Sequence, residues 1–277
     1  MRGGRPGVRT AGLSLSLVLL AVGGEGAAQV QVAPNRTTLY LHPTDVTDAR
    51  ALWVNPAGLG RFEEASLHLD VTVGDPGAAG RLRQLTLGFS SRGLSFGYQR
   101  DLFDGGVHGH TYRAGFAAGH ERLAIGLAVA LYRGGTSGTG WDAGVLYDAA
   151  PTITVGAVVE NVGRPTVRDS TLAVTYVPGA TWRIGSHAAL SVHGRFTPDR
   201  VIGYALGLRA TLQERAARPI GVLARVDTDR ALKRTGFAFG FSVGGQDVAG
   251  AVLTMPGDVG RVDALSLYGV STRRFGR

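Results

Sequence analysis

The stretch Leu123-Ala-Ile-Gly-Leu-Ala-Val-Ala-Leu131 carries the clearest fold signal in the chain. Large aliphatic side chains occupy every second position, and only alanine and glycine stand between them. Because successive side chains of a strand point to opposite faces, one face of this strand is large and apolar and the other is very small. A soluble half-buried strand would place polar residues on its outer face. The pattern therefore predicts a strand with lipid on one side and a crowded lumen on the other.

The same period of two recurs from about residue 65 to the C-terminus, with less regular alternation near residues 248–255 and 262–275. We count about fourteen such segments, each long enough to cross a bilayer at a steep tilt. Closing the sheet removes the edges that would otherwise invite aggregation. The sequence therefore predicts an all-β transmembrane antiparallel up-and-down β-barrel of about 14 strands. The N-terminal luminal plug that we expect in this barrel rests on the segment and the resemblance described below.

The links between the predicted strands alternate in length. Short links fall at residues 91–92, 119–121, 149–151, 185–187 and 244–246. The intervening links are longer, at residues 74–80, 101–109, 133–140 and 161–170, and the link 213–218 breaks the rhythm. Short turns at one end and longer loops at the other are typical of an outer-membrane barrel, with the short turns on the periplasmic side.

The N-terminus resembles a secretory signal peptide. Arginines at positions 2, 5 and 9 precede an apolar core that is too short to span a membrane, and small residues lead up to a cleavage site near Ala28. We therefore divide the chain into a signal peptide (1–28), a hatch or plug segment (29–64) and a transmembrane barrel (65–277). The predicted location of the mature protein is the bacterial outer membrane.

Composition narrows the functional classes. The chain has no cysteine, which excludes disulfides and thiolate metal sites. Its net charge of +8 comes almost wholly from arginines that are scattered singly, which does not favour nucleic acid as a partner. The sequence contains no run of 18 apolar residues, so it predicts no membrane-spanning helix. We predict no cofactor and no metal.

The segment Asp48-Ala-Arg-Ala-Leu-Trp-Val-Asn-Pro-Ala-Gly-Leu-Gly60 precedes the alternating region. Asp45 or Thr47 is placed to cap a short helix that runs through Trp53, a tryptophan that we expect to be exposed. The Asn55-Pro56 pair has the pattern of an N-cap followed by proline at the first helical position. The segment predicts either a compact plug inside a hollow protein or an ordinary connector.

This segment resembles the N-terminal signature of the FadL-like long-chain fatty-acid transporters, and even more the signature Asp-Ala-x-Ala-Leu-x-x-Asn-Pro-Ala-Gly-Leu of the PorV/PorQ-type barrels. The resemblance implies a fourteen-stranded outer-membrane barrel with the N-terminal segment folded into its lumen as a hatch. The hatch or gate residues that it implies are Asp48, Trp53, Asn55, Pro56, Ala57, Gly58 and Leu59.

Charged residues on the small-residue faces of the strands are expected to point into the lumen, where charge must be paired or hydrated. They form either a salt-bridge network that only holds the barrel and plug together, or one that rearranges to open a path. The predicted network comprises Asp70, Arg113, Asp142, Asp148, Glu160, Arg183, Arg195, Arg209 and Arg225.

No catalytic arrangement stands out, so we predict a protein that is not an enzyme. Ser191 and His193 lie two apart on an inward face, but a nucleophile also needs an oriented base with its own partner. His108 and His110 lie in a glycine-rich loop without an evident third metal ligand. Polar turns such as Asp227-Thr-Asp229 are commoner than cation sites.

Three functions remain as alternatives. The first is a gated passive route for small hydrophobic molecules, with the Asn55–Leu59 stretch as hatch. The second is a non-transporting scaffold or accessory of protein secretion, whose partner would be a secretion-machinery protein. The third is a lipid hydrolase built on Ser191 and His193. Outer-membrane lipid is the expected partner in every case.

Overall fold

The computed structural model describes residues 40–74, 81–167, 170–212, 216–256 and 262–275. The predicted signal peptide (1–28) and residues 29–39 of the predicted plug lie outside the described residues. Helical structure in the described part consists of the α-helix α1 (Ala51–Val54) and the 3-10 helices Pro56–Gly60 and Asp104–Gly106. Within this part of the chain, no helix is long and apolar enough to cross a membrane.

The rest of the regular structure in these residues is β-strand. In chain order the strands are β1 (Glu64–Gly74), β2 (Arg81–Ser91), β3 (Leu94–Leu102), β4 (His108–His120), β5 (Leu123–Gly134), β6 (Thr136–Ala150), β7 (Ile153–Val162), β8 (Thr166–Val167), β9 (Ser170–Thr171), β10 (Thr175–Ile184), β11 (Ala188–Phe196), β12 (Val201–Leu212), β13 (Ile220–Asp229), β14 (Arg234–Gly244), β15 (Asp247–Pro256) and β16 (Ala264–Arg274).

The fourteen long strands close into a barrel. Each pairs antiparallel with the next along the chain, and β7 pairs with β10 across the link that holds the short strands β8 and β9. The first and last strands pair over eleven positions, from Glu64 opposite Arg274 to Gly74 opposite Ala264. The prediction of an all-β, fourteen-stranded antiparallel barrel is therefore confirmed.

The two faces of the wall differ as the alternation predicted. In β5, Ile125 is 57% exposed, whereas Ala124 and Ala128 are 1% and 2% exposed. Large apolar side chains are exposed on the outer face of most of the long strands, with Phe96, Phe116, Leu206 and Phe241 among the most exposed. A soluble protein rarely exposes a continuous apolar surface of this kind, because water would be ordered over it. This apolar outer face is the surface that lipid covers in a membrane-spanning barrel.

One end of the barrel, which we call the short-turn end, carries the tight connections that the sequence predicted. Arg92 and Gly93 join β2 to β3, and Gly245 and Gln246 join β14 to β15. We call the other end the long-loop end. The predicted long link at residues 133–140 is wrong, because Tyr132 pairs with Gly138 and extends both strands until only Gly135 separates them. Gly134 has a φ of 77°, a conformation that glycine adopts without strain.

Candidate functional site

Residues 40–60, which we call the inner segment, lie against the inward face of the wall. The segment contacts β11–β13 and β16 near its start and β3–β6 in its second part. Asn55 caps the 3-10 helix Pro56–Gly60 by accepting a hydrogen bond of 3.1 Å from the Ala57 amide. Its side-chain amide also donates to the Pro43 carbonyl at 3.1 Å. The predicted cap at Asn55 with Pro56 in the first turn is therefore confirmed.

Two local predictions for this segment are wrong. Neither Asp45 nor Thr47 caps α1, since Arg50 occupies the N-cap position and makes no side-chain capping bond. The nearby Asp48 instead binds the Arg50 guanidinium at 2.6 Å. Trp53 is buried, at 6% exposure, because Gly97 lacks a side chain and lets the indole lie against the backbone of β3.

Glycines of the wall make room for the second half of the inner segment. A Cβ built on Gly97 would lie 2.7 Å from the Trp53 ring, and one on Gly115 would lie 2.6 Å from Leu52. A Cβ on Gly126 would overlap the Pro56 backbone, and one on Gly144 would overlap the Asn55 side chain. These four glycines belong to the neighbouring strands β3, β4, β5 and β6 and together form what we call the glycine seat.

Polar contacts hold the first half of the inner segment, and we call this region the polar seat. Arg225 donates to the Leu41 carbonyl at 2.6 Å and pairs with Asp227 at 2.6 Å. Nδ1 of His42 lies 3.0 Å from Nδ1 of His193, so one ring donates a hydrogen bond to the other. Two further contacts join Thr44 to Thr181 at 2.7 Å and Asp45 to Arg209 at 2.9 Å.

An arginine of the wall binds the second half of the segment. Arg113 donates to the Leu52 carbonyl at 3.0 Å and to the Asp142 carboxylate at 2.6 Å. Its guanidinium also lies 5.1 Å from the centre of the Trp53 ring, in a cation–π arrangement. Just beyond the segment, Arg61 pairs with Asp148 at 2.7 Å.

The nine predicted lumen charges lie in separate groups, and the contacts described below do not join them into one network. Four contact the inner segment or Arg61, namely Arg113, Asp148, Arg209 and Arg225. The others bond within the wall: Asp142 to Arg113, Glu160 to Arg195 at 3.8 Å, Arg183 to Thr154 at 2.9 Å, and Asp70 to Thr72 at 3.1 Å. Sequence reasoning missed the His42–His193 contact, because no local pattern marks partners 151 residues apart.

Burial and nearby arginines shift the pKa values of the titratable groups in the first half of the inner segment. Burial, aided by the Arg225 guanidinium, lowers the pKa of His42 to about 3, so this ring is neutral at neutral pH. Burial raises the pKa of Asp45 against the opposing attraction of Arg209. Burial also works to raise the pKa of Asp48, but the charge and hydrogen bonds of Arg50 outweigh it and lower that pKa.

A cavity of about 320 Å³ separates part of the inner segment from the wall of β11–β16. It reaches the short-turn end, where Pro219, Gly244 and Gly245 line it. Its apolar lining includes the stacked rings of Tyr40 and Tyr268, whose centres are 5.6 Å apart. Its polar lining comes from His42, Asp45, Arg50, Ser191 and Arg209. This size falls at the lower end of the range of about 300–1,000 Å³ for small-molecule pockets.

The residues considered for catalysis and metal binding have other partners. Ser191 bonds to Thr181 at 2.8 Å, and the close contact of His193 is with His42. His110 bonds to the Tyr98 hydroxyl at 2.8 Å. Asp229 accepts from the amides of Ala231 and Lys233, which makes it a loop cap. The described part of the chain contains no group of three or more metal-ligating side chains placed to hold an ion.

No protein-family model and no curated protein sequence matches this chain. Among solved structures it is similar to the CymD monoaromatic hydrocarbon channel, with a TM-score of 0.55 and 12% identity over 86% of this chain and 95% of that one. It is also similar to the toluene transporter TodX of Pseudomonas putida, with a TM-score of 0.53 and 10% identity over 83% and 94% of the two chains. It is similar as well to a FadL homologue of Pseudomonas aeruginosa, with a TM-score of 0.52 and 9% identity over 84% of this chain and 96% of that one. The chain therefore has the fold of the FadL-type barrels.

Proposed function

We propose that this protein is a passive route for small hydrophobic molecules across the bacterial outer membrane, with the inner segment as a movable hatch. In this proposal residues 1–28 are the signal peptide, cleaved near Ala28, and the protein is not an enzyme. The hatch centres on Asn55, Pro56, Ala57, Gly58 and Leu59, with Asp48 and Trp53 anchoring its approach. The observation that carries the proposal is the placement of this segment across the inward face of the wall, beside a cavity whose lining extends to the short-turn end.

The fold and the cavity support this substrate class. Two of the similar structures are named for monoaromatic hydrocarbons and toluene, compounds that have no charge and little hydrogen-bonding capacity. The cavity has room for a molecule of that size, and Tyr40 and Tyr268 offer aromatic surface to it. Aromatic rings prefer offset or edge contacts with other rings, which suits an aromatic solute.

Buried polar groups without partners lower the stability of the inner segment in its place against the wall, which favours a segment that can be released. The indole nitrogen of Trp53, Nε2 of His42 and both ring nitrogens of His68 are buried without a hydrogen-bond partner among the described residues. Each such group costs about 1–3 kcal/mol relative to a hydrated one. Release of the segment would expose these groups to water and recover part of that cost. The closed state is therefore less stable than its close packing alone would make it.

The test uses the absence of native cysteine. Ala57 of the hatch and Ala124 of β5 pack in one buried cluster, so the double variant Ala57→Cys/Ala124→Cys places two thiols side by side. Expressed in a Gram-negative host without its own hydrophobic channel, the reduced double variant should take up radiolabelled toluene as the unmodified chain does. Oxidation should lower uptake to the level of the empty host, and reductant should restore it.

The single variants Ala57→Cys and Ala124→Cys are the matched controls and should be insensitive to oxidant. Uptake that survives complete cross-linking would overturn the hatch while leaving the barrel as a route. Uptake no greater than that of the empty host under every condition would overturn transport and favour the non-transporting scaffold.

A further inference from the structure

A second stretch of chain folds inward at the long-loop end. Residues 163–167, which we call the outer strap, follow directly on β7. Pro165 lies against the inward positions of β6, where a Cβ on Gly138 would be 3.3 Å from its Cα and a Cβ on Gly140 would be 3.1 Å from its ring. The strap also adds two residue pairs to β6, Thr136 with Val167 and Ser137 with Thr166.

The contacts that seat the strap are apolar. Val167 is 2% exposed and packs with Ala130 and Tyr132 of β5, which are each 3% exposed. Phe103 and Leu172 complete this cluster from neighbouring loops. Ala130 and Tyr132 belong to the inward face of β5, the same face that holds Gly126 under the hatch. The strap therefore covers the lumen wall above the inner segment.

The strap is held by few bonds. Two residue pairs with β6 and two with β9 are its strand contacts in the described residues, and so small a ladder has little stability of its own in water. Pro165 packs against Gly138 and Gly140, and its carbonyl accepts a hydrogen bond of 2.8 Å from the Leu172 amide. Val167 adds the hydrophobic contact. An apolar solute can replace that contact without breaking an ion pair, whereas a polar solute cannot, since it would lose its hydration against Val167, Ala130 and Tyr132.

We propose that the outer strap is a second closure of the lumen, separate from the hatch, which gives way to apolar solutes at the long-loop end. This inference rests on the proposed function in that it takes the lumen to be the route. The two closures differ in chemistry: the strap is held by apolar packing, and the hatch by polar contacts and by glycines of the wall. In this proposal a solute that enters along β5 and β6 displaces the strap from Ala130 and Tyr132 on its way to the inner segment.

The first test locks the strap to the wall. Ser137 and Thr166 are directly opposite each other on β6 and β8, a spacing that a cross-strand disulfide can bridge. Oxidised Ser137→Cys/Thr166→Cys should take up toluene at least about tenfold more slowly than the reduced form. The matched control is Thr166→Cys/Thr171→Cys, which joins the strap to β9 without tying it to β6 and should keep normal uptake.

The second test does not depend on transport. Thr111 is 3% exposed, and its partner on β5 is Tyr132, so a cysteine at this position lies beside a residue that the strap covers through Val167. Intact cells carrying Thr111→Cys are treated with a membrane-impermeant thiol reagent, with the strap either free or locked by the 137–166 disulfide. Labelling should fall about tenfold on locking.

The outcomes separate the two proposals. If the 137–166 lock changes neither uptake nor labelling while the 57–124 lock abolishes uptake, the second closure is overturned and the hatch stands. If toluene uptake never exceeds that of the empty host but labelling still depends on the lock, the proposed function fails and the strap remains a closure of the lumen.

Discussion

The two halves of the inner segment are held in different ways. Residues 40–50 lie in the polar seat, where Arg225, His193 and Arg209 supply the contacts. Residues 51–60 lie in the glycine seat, where four wall positions lack a side chain and the Leu52, Trp53 and Asn55 side chains and the Pro56 backbone fill the space. Both halves are buried over most of their length, so burial alone does not distinguish them.

The difference predicts how each half responds to change. Contacts between charged or titratable groups weaken when a change of pH alters the charge of one partner, or when one partner is removed. A seat made by absent side chains is insensitive to charge but intolerant of volume, because a packed interior has no room for an added methyl group. Mutations of volume and of charge should therefore affect the two halves to different extents.

One assay compares them. Ala57 is fully buried, so a single cysteine at this position reacts with a thiol reagent only when the hatch leaves its seat. The chain has no other cysteine, and the labelling rate of purified Ala57→Cys therefore reports the fraction released. All variants below carry this cysteine.

The largest effect is expected from filling the glycine seat. In Gly126→Ala the new Cβ overlaps the Pro56 backbone, and the 3-10 helix has to lift. Overpacking of this kind costs about 1–3 kcal/mol, so labelling should rise by about 5- to 150-fold. Gly245→Ala is the control, since a Cβ there meets nothing within 4 Å and labelling should not change. An unchanged rate in Gly126→Ala would mean that the hatch does not depend on this seat.

A smaller effect is expected from acid acting on the polar seat. Seated His42 has a pKa of about 3, whereas the released ring regains its usual value of 6.5 and binds a proton more readily. Acid therefore favours release: the stabilising contribution of neutral His42 is complete above about pH 6.5 and declines as the pH falls toward 3. Labelling should rise by at most about tenfold per pH unit between pH 6.5 and 5.

The acid effect has its own control. Asp45, whose pKa is raised by burial, acts in the opposite direction, because a seated carboxyl group binds a proton more readily than a released one. His42→Asn keeps a side chain that can bond to His193 and does not titrate, so its labelling should rise less with acid; the variant retains His193, whose ring release also uncovers. Rates are divided by those of Ala231→Cys in an exposed loop, which corrects for thiol ionisation. Equal pH profiles for the two hatch variants would exclude His42 as the cause.

The barrel wall was predictable because its pattern is local. Alternation between the outward Ile125 and the inward Ala124 reflects lipid on one side and lumen on the other, and a period of two needs no knowledge of distant residues. The strand count followed from the same period. The link at residues 133–140 was not predictable, because pairing of Tyr132 with Gly138 depends on register between two strands.

The seat of the inner segment was only partly predictable. The Asn55 cap follows from adjacent residues, and the alternation placed the glycines on the inward face. Which glycine receives which side chain depends on how the segment crosses the barrel, so the burial of Trp53 against Gly97 had no local signal. Likewise, nothing near His193 in the chain indicates that its partner is His42. The motif predicts a structured segment, and only the folded wall determines its contacts.

The smallest effect is expected from the most exposed contact of the polar seat. The Arg209 side chain is 55% exposed, and its pair with Asp45 spans 2.9 Å. Exposed ion pairs contribute about 0–1 kcal/mol, so Arg209→Gln should raise labelling by no more than about fivefold. Arg273→Gln removes an equally exposed arginine from a pair with Asp247, at 2.8 Å and away from the hatch, and should have no effect. A rise as large as that of Gly126→Ala would remove the distinction between the halves, because one exposed ion pair would then hold the hatch as firmly as the close packing on four glycines.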